Sequence, residues 1–150
     1  MKKYYWASST LLGDGSTVTP GNWGRMIKQY RVDVFGNPWL LVREYIFEDI
    51  RRQSYSNKPS RFNCLFLCKD IDSMKEFINS NNKVTDIIYE VEILDDSQLT
   101  FEFDWKGVNL SRGESVIELE SKAHNYWKAE NINSTEVLTE SSIRIIKKIQ

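Results

Sequence analysis

Tyr4-Tyr5-Trp6-Ala7-Ser8-Ser9 sets three aromatic rings beside two hydroxyl groups, and the chain then enters GDGSTVTPGNWG, residues 13–24. A Gly/Ser/Thr/Pro-rich stretch directly after a strand-like segment is a loop of the kind that carries binding residues. Four further places hold side chains able to do chemistry: Pro59-Ser60-Arg61-Phe62, Asp104, Tyr126-Trp127 and Glu136. Five Trp, seven Tyr and seven Phe exceed the needs of a small core, and surplus rings suit a pocket that stacks flat groups. His124, the only histidine, stands in a helical segment beside Tyr126; it reads as a general base or as a partly exposed helix residue. A single histidine weighs against His-based triads and metal centres, and no P-loop, GxGxxG, HExxH or GxSxG is present.

Charge is divided unevenly. Residues 1–75 carry twelve Lys/Arg against seven Asp/Glu, residues 76–150 eight against fourteen, and the whole chain has a net charge of −1. A positive front half attracts a phosphate-bearing ligand, or it is ordinary surface variation. Cys64 and Cys68 lie in FNCLFLC, which reads as a buried strand. Four residues of strand separate them by roughly 13 Å, against the ~7 Å limit of a disulfide. Free buried thiols fit a reducing compartment. MKKYYWASSTLL lacks the apolar core of a signal peptide, and no run approaches the ~20 apolar residues of a membrane helix. The expectation is a cytoplasmic, soluble protein with no membrane partner.

The elements that must position these residues follow from pattern. Residues 4–10 read as a first strand. Asn37-Pro38 is an N-cap followed by a first-turn proline, and Trp39, Val42, Ile46 and Ile50 recur at helical spacing, predicting a helix over about 38–54. Residues 62–68 form the buried strand, and 70–79 a short helix capped by Asp70 or Asp72. In 86–94, Ile87, Tyr89, Val91 and Ile93 alternate with outward Glu90 and Glu92; in 99–105, Leu99, Phe101, Phe103 and Trp105 alternate with Glu102 and Asp104. Asp95-Asp96-Ser97-Gln98 between them suits a hairpin loop. Val116, Leu119, Ala123, Tyr126 and Trp127 predict a helix over 114–130, and 136–139 and 143–149 read as final strands. No linker or repeat interrupts the chain, so 1–150 is one α+β domain with a mixed, mostly antiparallel sheet.

A first strand with aromatic and small polar residues, a Gly/Pro loop, the central Leu65-Phe66-Leu67 and the late Ser134-Thr135-Glu136-Val137-Leu138 before Ile143-Arg144-Ile145-Ile146 resemble ADP-ribosyltransferase domains. The ending is similar to the poly(ADP-ribose) polymerase type. IFEDIR, PSRF, IYEVEI, AxxYW and EVL also resemble a bacterial family of uncharacterised function. The resemblance implies an ADP-ribosyltransferase-like split sheet flanked by helices, with NAD as substrate and no metal. It implies a transferase that moves ADP-ribose to a macromolecular acceptor, protein or RNA or DNA, in a toxin or phage-defence effector held by an antitoxin protein. Glu136 would be the catalytic carboxylate, supporting an oxocarbenium-like transition state. Tyr5, Trp6 or Phe66 would wall the nicotinamide, with Ser8 beside them, and Arg61 would hold phosphate. The family's strand-one His or Arg is here replaced by Trp6, Ala7 and Ser8, and its mid-chain Tyr or Ser-Thr-Ser by Ser60-Arg61 or Phe66; Glu136 alone maps directly.

Each residue also has a plain structural reading: an exposed strand Glu136, a surface ion pair for Arg61, core packing for Trp6 and Phe66. Two other functions stay open, a NAD glycohydrolase on the same fold and a non-enzymatic binding or immunity module. Arg43, Arg51, Arg52, Lys58 and Arg61 give the region before the buried strand a basic character suited to a nucleic-acid acceptor, or to a solvated helix face.

Overall fold

The computed structural model describes residues 2–150. Its strands are β1 (Tyr4–Ser8), β2 (Thr17–Val18), β3 (Leu65–Leu67), β4 (Ile87–Ile93), β5 (Thr100–Asp104), β6 (Thr135–Thr139) and β7 (Ile143–Lys148). The helices are α1 (Asn22–Ile27), α2 (Pro38–Ser54), α3 (Ile71–Ser80) and α4 (Val116–Lys128). The strands form two antiparallel sheets, β1-β4-β7-β2 and β3-β6-β5, flanked by helices, so the chain is α+β. No described helix is long and apolar enough to cross a membrane.

Local signals place most elements. Asn37 accepts a hydrogen bond from the Trp39 N–H at the start of α2, Asp70 accepts from Ser73 at the start of α3, and Ser115 and Glu118 close a capping box on α4. The expected strand 62–68 is shorter than its apolar run, because Arg61–Asn63 coil into a 3-10 turn and leave β3 only Leu65–Leu67. Within the expected loop 13–24, β2 pairs with β7 and α1 begins at Asn22.

The expected hairpin 95–98 is not one: β4 and β5 lie in different sheets. Two crossings meet at one corner instead. Leu94 donates to the Ser142 carbonyl, Asp95 to the Ser141 hydroxyl and Glu140 to the Leu99 carbonyl, so β4→β5 and β6→β7 change sheets side by side. Leu99 is accordingly exposed rather than inward, while Phe103 and Trp105 are buried. Glu90 and Glu92 are buried rather than outward, the first paired with Lys3 and Lys147 and the second with Arg144.

Three apolar clusters form the core. Tyr4, Leu65, Leu67, Tyr89, Val91, Val137, Ile143 and Ile145 fill the space between the sheets. Phe47, Ile50, Phe103, Ala123, Trp127 and Leu138 join α2 and α4 to the second sheet, and Met74 and Ile78 bind α3 to Ile88 and Cys68. Cys64 and Cys68 are free and buried; burial pushes both thiols up, Cys68 to about 12, which leaves them unreactive.

Candidate functional site

The two sheets touch edge to edge at one point. Tyr5 and Cys68 exchange both backbone hydrogen bonds at 2.8 Å, joining β1 to the end of β3. Backbone groups two residues apart in a strand point the same way, so the next pair in this register is Ala7 with Phe66. No backbone bond joins them. The strands part there, and the Cys64 carbonyl, one step further along, accepts instead from Gly21 at the start of α1. Helix α1 lies close on the Arg61–Asn63 turn: a Cβ on Gly24 would stand 2.3 Å from the Phe62 carbonyl oxygen.

The parting opens a cleft of about 880 Å³. Trp6, Ala7 and Ser8 line one wall, Leu65 and Phe66 the other, and Glu136, Arg61 and Arg43 also line it. Among the sequence-predicted site residues, Trp6, Ser8, Arg61, Phe66 and Glu136 therefore share one cavity. Tyr5 lies outside its lining: its side chain packs on the α3 side, while Trp6 faces the cluster between the sheets. His124 is elsewhere, 3.0 Å from the Tyr55 hydroxyl through Nδ1, and Asp104 caps a 3-10 turn by accepting from Lys106.

Glu136 is no exposed strand residue; it is only 4% exposed. Its Oε1 accepts from Tyr126 Oη at 2.8 Å and from Arg61 Nη1 at 3.1 Å. Its Oε2 bonds to nothing among the described residues. Arg61 also donates from Nη1 to Tyr126 Oη, and from Nε and Nη2 to Glu44. Its plane lies 4.9 Å from the Phe66 ring centre and 5.3 Å from that of Tyr126. Of five guanidinium hydrogens one remains uncommitted, so Arg61 positions carboxylates more than it offers itself to phosphate. Arg43 completes the network, donating to Glu44 at 2.8 Å and to the Val108 carbonyl at 3.0 Å.

The two carboxyl groups are shifted in opposite directions. Burial raises the pKa of Glu44, but Arg61 and Arg43 outweigh it and hold Glu44 below the usual carboxylate range. Glu136 shares only Arg61 and stands near the Glu44 charge. Burial prevails there and pushes Glu136 up, despite Arg61 and the Tyr126 hydrogen bond. Tyr126 is pushed far up by the same burial, so its hydroxyl stays a donor.

The opposite shifts give opposite pH dependences. Glu44 and Glu48, with lowered folded values, lend stability that is lost as pH falls through those values. Glu136, raised above the ordinary 4.5, binds its proton more tightly folded than unfolded, so its contribution is lost as pH rises through the raised value. Glu136→Gln removes that second term. Urea unfolding from about pH 4 to about pH 8 is expected to show the variant gaining on the parent as pH rises. A pH-independent difference would contradict the assignment.

Glu44 was not singled out by sequence; Tyr126 was, without a role beside Glu136, and Arg43 only as part of a basic stretch. The apolar series Trp39, Val42, Ile46, Ile50 suggests one face of α2, yet Trp39 is exposed, and the buried face is Arg43, Glu44, Phe47, Glu48 and Ile50. Arg43 and Glu44 stand four residues before Phe47 and Glu48, on the same helix face, and that spacing was the available signal. Of the basic residues Arg43, Arg51, Arg52, Lys58 and Arg61, only Arg52 is exposed. Arg43 and Arg61 are buried with Glu44, Arg51 and Arg52 pair with Glu48, and half-buried Lys58 lies over Phe101.

Three buried donors that line the cleft have no partner: Trp23 Nε1, Trp105 Nε1 and Arg43 Nε. An unmet buried donor costs about 1–3 kcal/mol. Among the described residues no group of three His, Cys, Asp or Glu is placed to hold a metal ion.

No curated protein matches the chain. A family model described as "Protein of unknown function (DUF2441)" matches residues 21–150, and the chain belongs to that family. The matched stretch contains Arg43, Glu44, Arg61, Phe66, Tyr126 and Glu136; the β1 wall precedes it.

Proposed function

We propose, with membership of that family as the premise, that this chain is an ADP-ribosyltransferase-like enzyme that breaks the nicotinamide–ribose bond of NAD and passes ADP-ribose to a macromolecular acceptor. The observation that carries the reading is Glu136: a buried carboxylate with one oxygen fixed by Arg61 and Tyr126 and the other unengaged, lining the cleft that β1 also lines.

The chemistry asks for four things. The carboxamide of nicotinamide needs one donor and one acceptor side by side, which the unpaired N–H and C=O of Ala7 offer at the parted edge. The ring needs apolar walls, met by Trp6 and Phe66. The pyrophosphate needs positive charge, which Arg25 and Lys83 offer among the lining residues. The ribose needs a carboxylate that holds a hydroxyl and opposes the developing positive charge, and Glu136 serves there. As the C1′–N bond breaks, nicotinamide leaves with the electron pair, and an acceptor oxygen or nitrogen bonds to C1′ and releases its proton. Water in the acceptor's place makes the same site a NAD glycohydrolase. The chain acts in the cytoplasm as a toxin or phage-defence effector, with an antitoxin protein as partner.

A second reading rests on the closure of the network itself. Two arginines balance two glutamates, and such a set can serve packing alone in a non-enzymatic binding or immunity module. Incubation with NAD separates the two. The enzyme reading expects free nicotinamide by chromatography, labelled macromolecule from labelled NAD, and a melting temperature raised by roughly 5–10 °C when NAD exceeds its Kd about 100-fold. Nicotinamide without labelled macromolecule selects the glycohydrolase; the absence of both nicotinamide release and a thermal shift overturns the enzyme.

A further inference from the structure

The surface beside the cleft mouth combines cations and uncovered rings. Arg25, Met26, Tyr30 and Leu40 line the cleft, and the chain between Tyr30 and Leu40 leaves it to form a small closed loop. Arg31 and Phe35 exchange backbone hydrogen bonds in both directions across that loop. Asp33 adopts φ 56°, and the Tyr30 and Phe35 rings meet edge to face at 5.5 Å. Gly36 is fixed against the same ring, since a Cβ there would stand 2.3 Å from Tyr30 Cγ. The loop is thus a built feature, and it leaves Phe35 52% and, at the start of α2, Trp39 59% exposed.

Lys28 and Arg31 pair with no carboxylate among the described residues. Lys28 lies 5.9 Å from the Phe62 ring centre, and Phe62 meets at 5.4 Å the tilted ring of Tyr45, which is also exposed. Asp33 is the one acid between residues 15 and 43, against Arg25, Lys28 and Arg31. Burying apolar rings singly is common on surfaces, but free cations interleaved with exposed flat rings are what a single-stranded nucleic acid requires: charge for phosphates, faces for bases. A protein partner of ordinary composition would match the apolar atoms and leave the net positive charge unmet.

We propose that this surface, Lys28, Arg31, Phe35 and Trp39, docks single-stranded nucleic acid and leads it to the cleft mouth as the acceptor. Its role as acceptor site rests on the ADP-ribosyl reading; its affinity for a strand does not. Unpaired strands suit it because an exposed indole stacks on a splayed base and a duplex keeps its bases covered.

Fluorescence anisotropy with a labelled mixed-sequence 20-nucleotide DNA strand, its RNA counterpart and the DNA duplex tests this without NAD. The parent protein is expected to bind a single strand more tightly than the duplex, with affinity falling steeply as salt rises. Trp39→Ala is expected to weaken binding about 5- to 100-fold, and Lys28→Glu with Arg31→Glu at least about 10-fold at low salt. All these side chains are exposed, so melting temperature stays within a few degrees and nicotinamide release from NAD alone is unchanged. No strand binding at low salt, or binding that survives all three substitutions, overturns the proposal while leaving NAD cleavage standing. Loss of protein labelling in a cell extract by the same variants, without strand binding, would assign the surface to a protein and overturn it equally. Strand binding without NAD cleavage would instead sink the enzyme reading alone.

Discussion

Glu136→Gln is expected to lower nicotinamide release from NAD by at least about 10²–10³-fold, the usual cost of removing one preorganised electrostatic contact from a transition state. Glutamine keeps the shape and one acceptor oxygen, so Tyr126 and Arg61 retain a partner. What it loses is the negative charge facing the ribose. Because burial disfavours the charge on that carboxylate, the folded protein tolerates the amide, and the melting temperature is expected to move little at neutral pH. An inactive variant that still shows the thermal shift with NAD places the loss in the chemical step. A fully active Glu136→Gln, with binding intact, removes Glu136 from the reaction.

Arg61→Met has the opposite profile. It leaves Glu44 and Glu136 buried without the cation they share. Breaking one member out of a buried ion network costs about 3–5 kcal/mol, against a total stability of about 5–15 kcal/mol for a domain. Urea unfolding is expected to show that loss, with release of the Phe66 and Tyr126 faces that stack on the guanidinium. Arg61→Lys is expected to recover part of it, since an ammonium retains the charge and lacks the fork that serves Glu44 and Glu136 together. A loss below about 1 kcal/mol for Arg61→Met would show that the network is not what holds the cleft floor.

Much of the scaffold was legible because it rests on local chemistry. Asn37-Pro38, Asp70 and Ser115 with Glu118 announce helix starts through side-chain capping, which acts within four residues. The sheet assignment was not legible. Asp95–Gln98 has hairpin composition, yet β4 pairs with β7 and β5 with β6, choices made by partners more than thirty residues away. The site was legible in part. Glu136, Arg61, Phe66, Trp6 and Ser8 share the cleft, while the burial of Arg43 and Glu44 was hidden by the assumption that charge lies outward, and nothing in the sequence tied Tyr126 to Glu136. Glu44 is buried because two guanidiniums meet it there, and one of them comes from seventeen residues down the chain.

The parted register between β1 and β3 has a consequence for how the site comes into being. Its walls are tied by pairings that span much of the chain: Tyr4 with Val91, Tyr5 with Cys68, Leu67 with Val137. Such distant pairings must close large loops before any contact rewards them, which puts folding on the slow, millisecond-to-second side for domains of this size. No fragment holds both rims of the opening, so a partly made or clipped chain owns neither the cavity nor its carboxylate in place. Whatever the cleft does, it does only as a cooperative property of the finished fold.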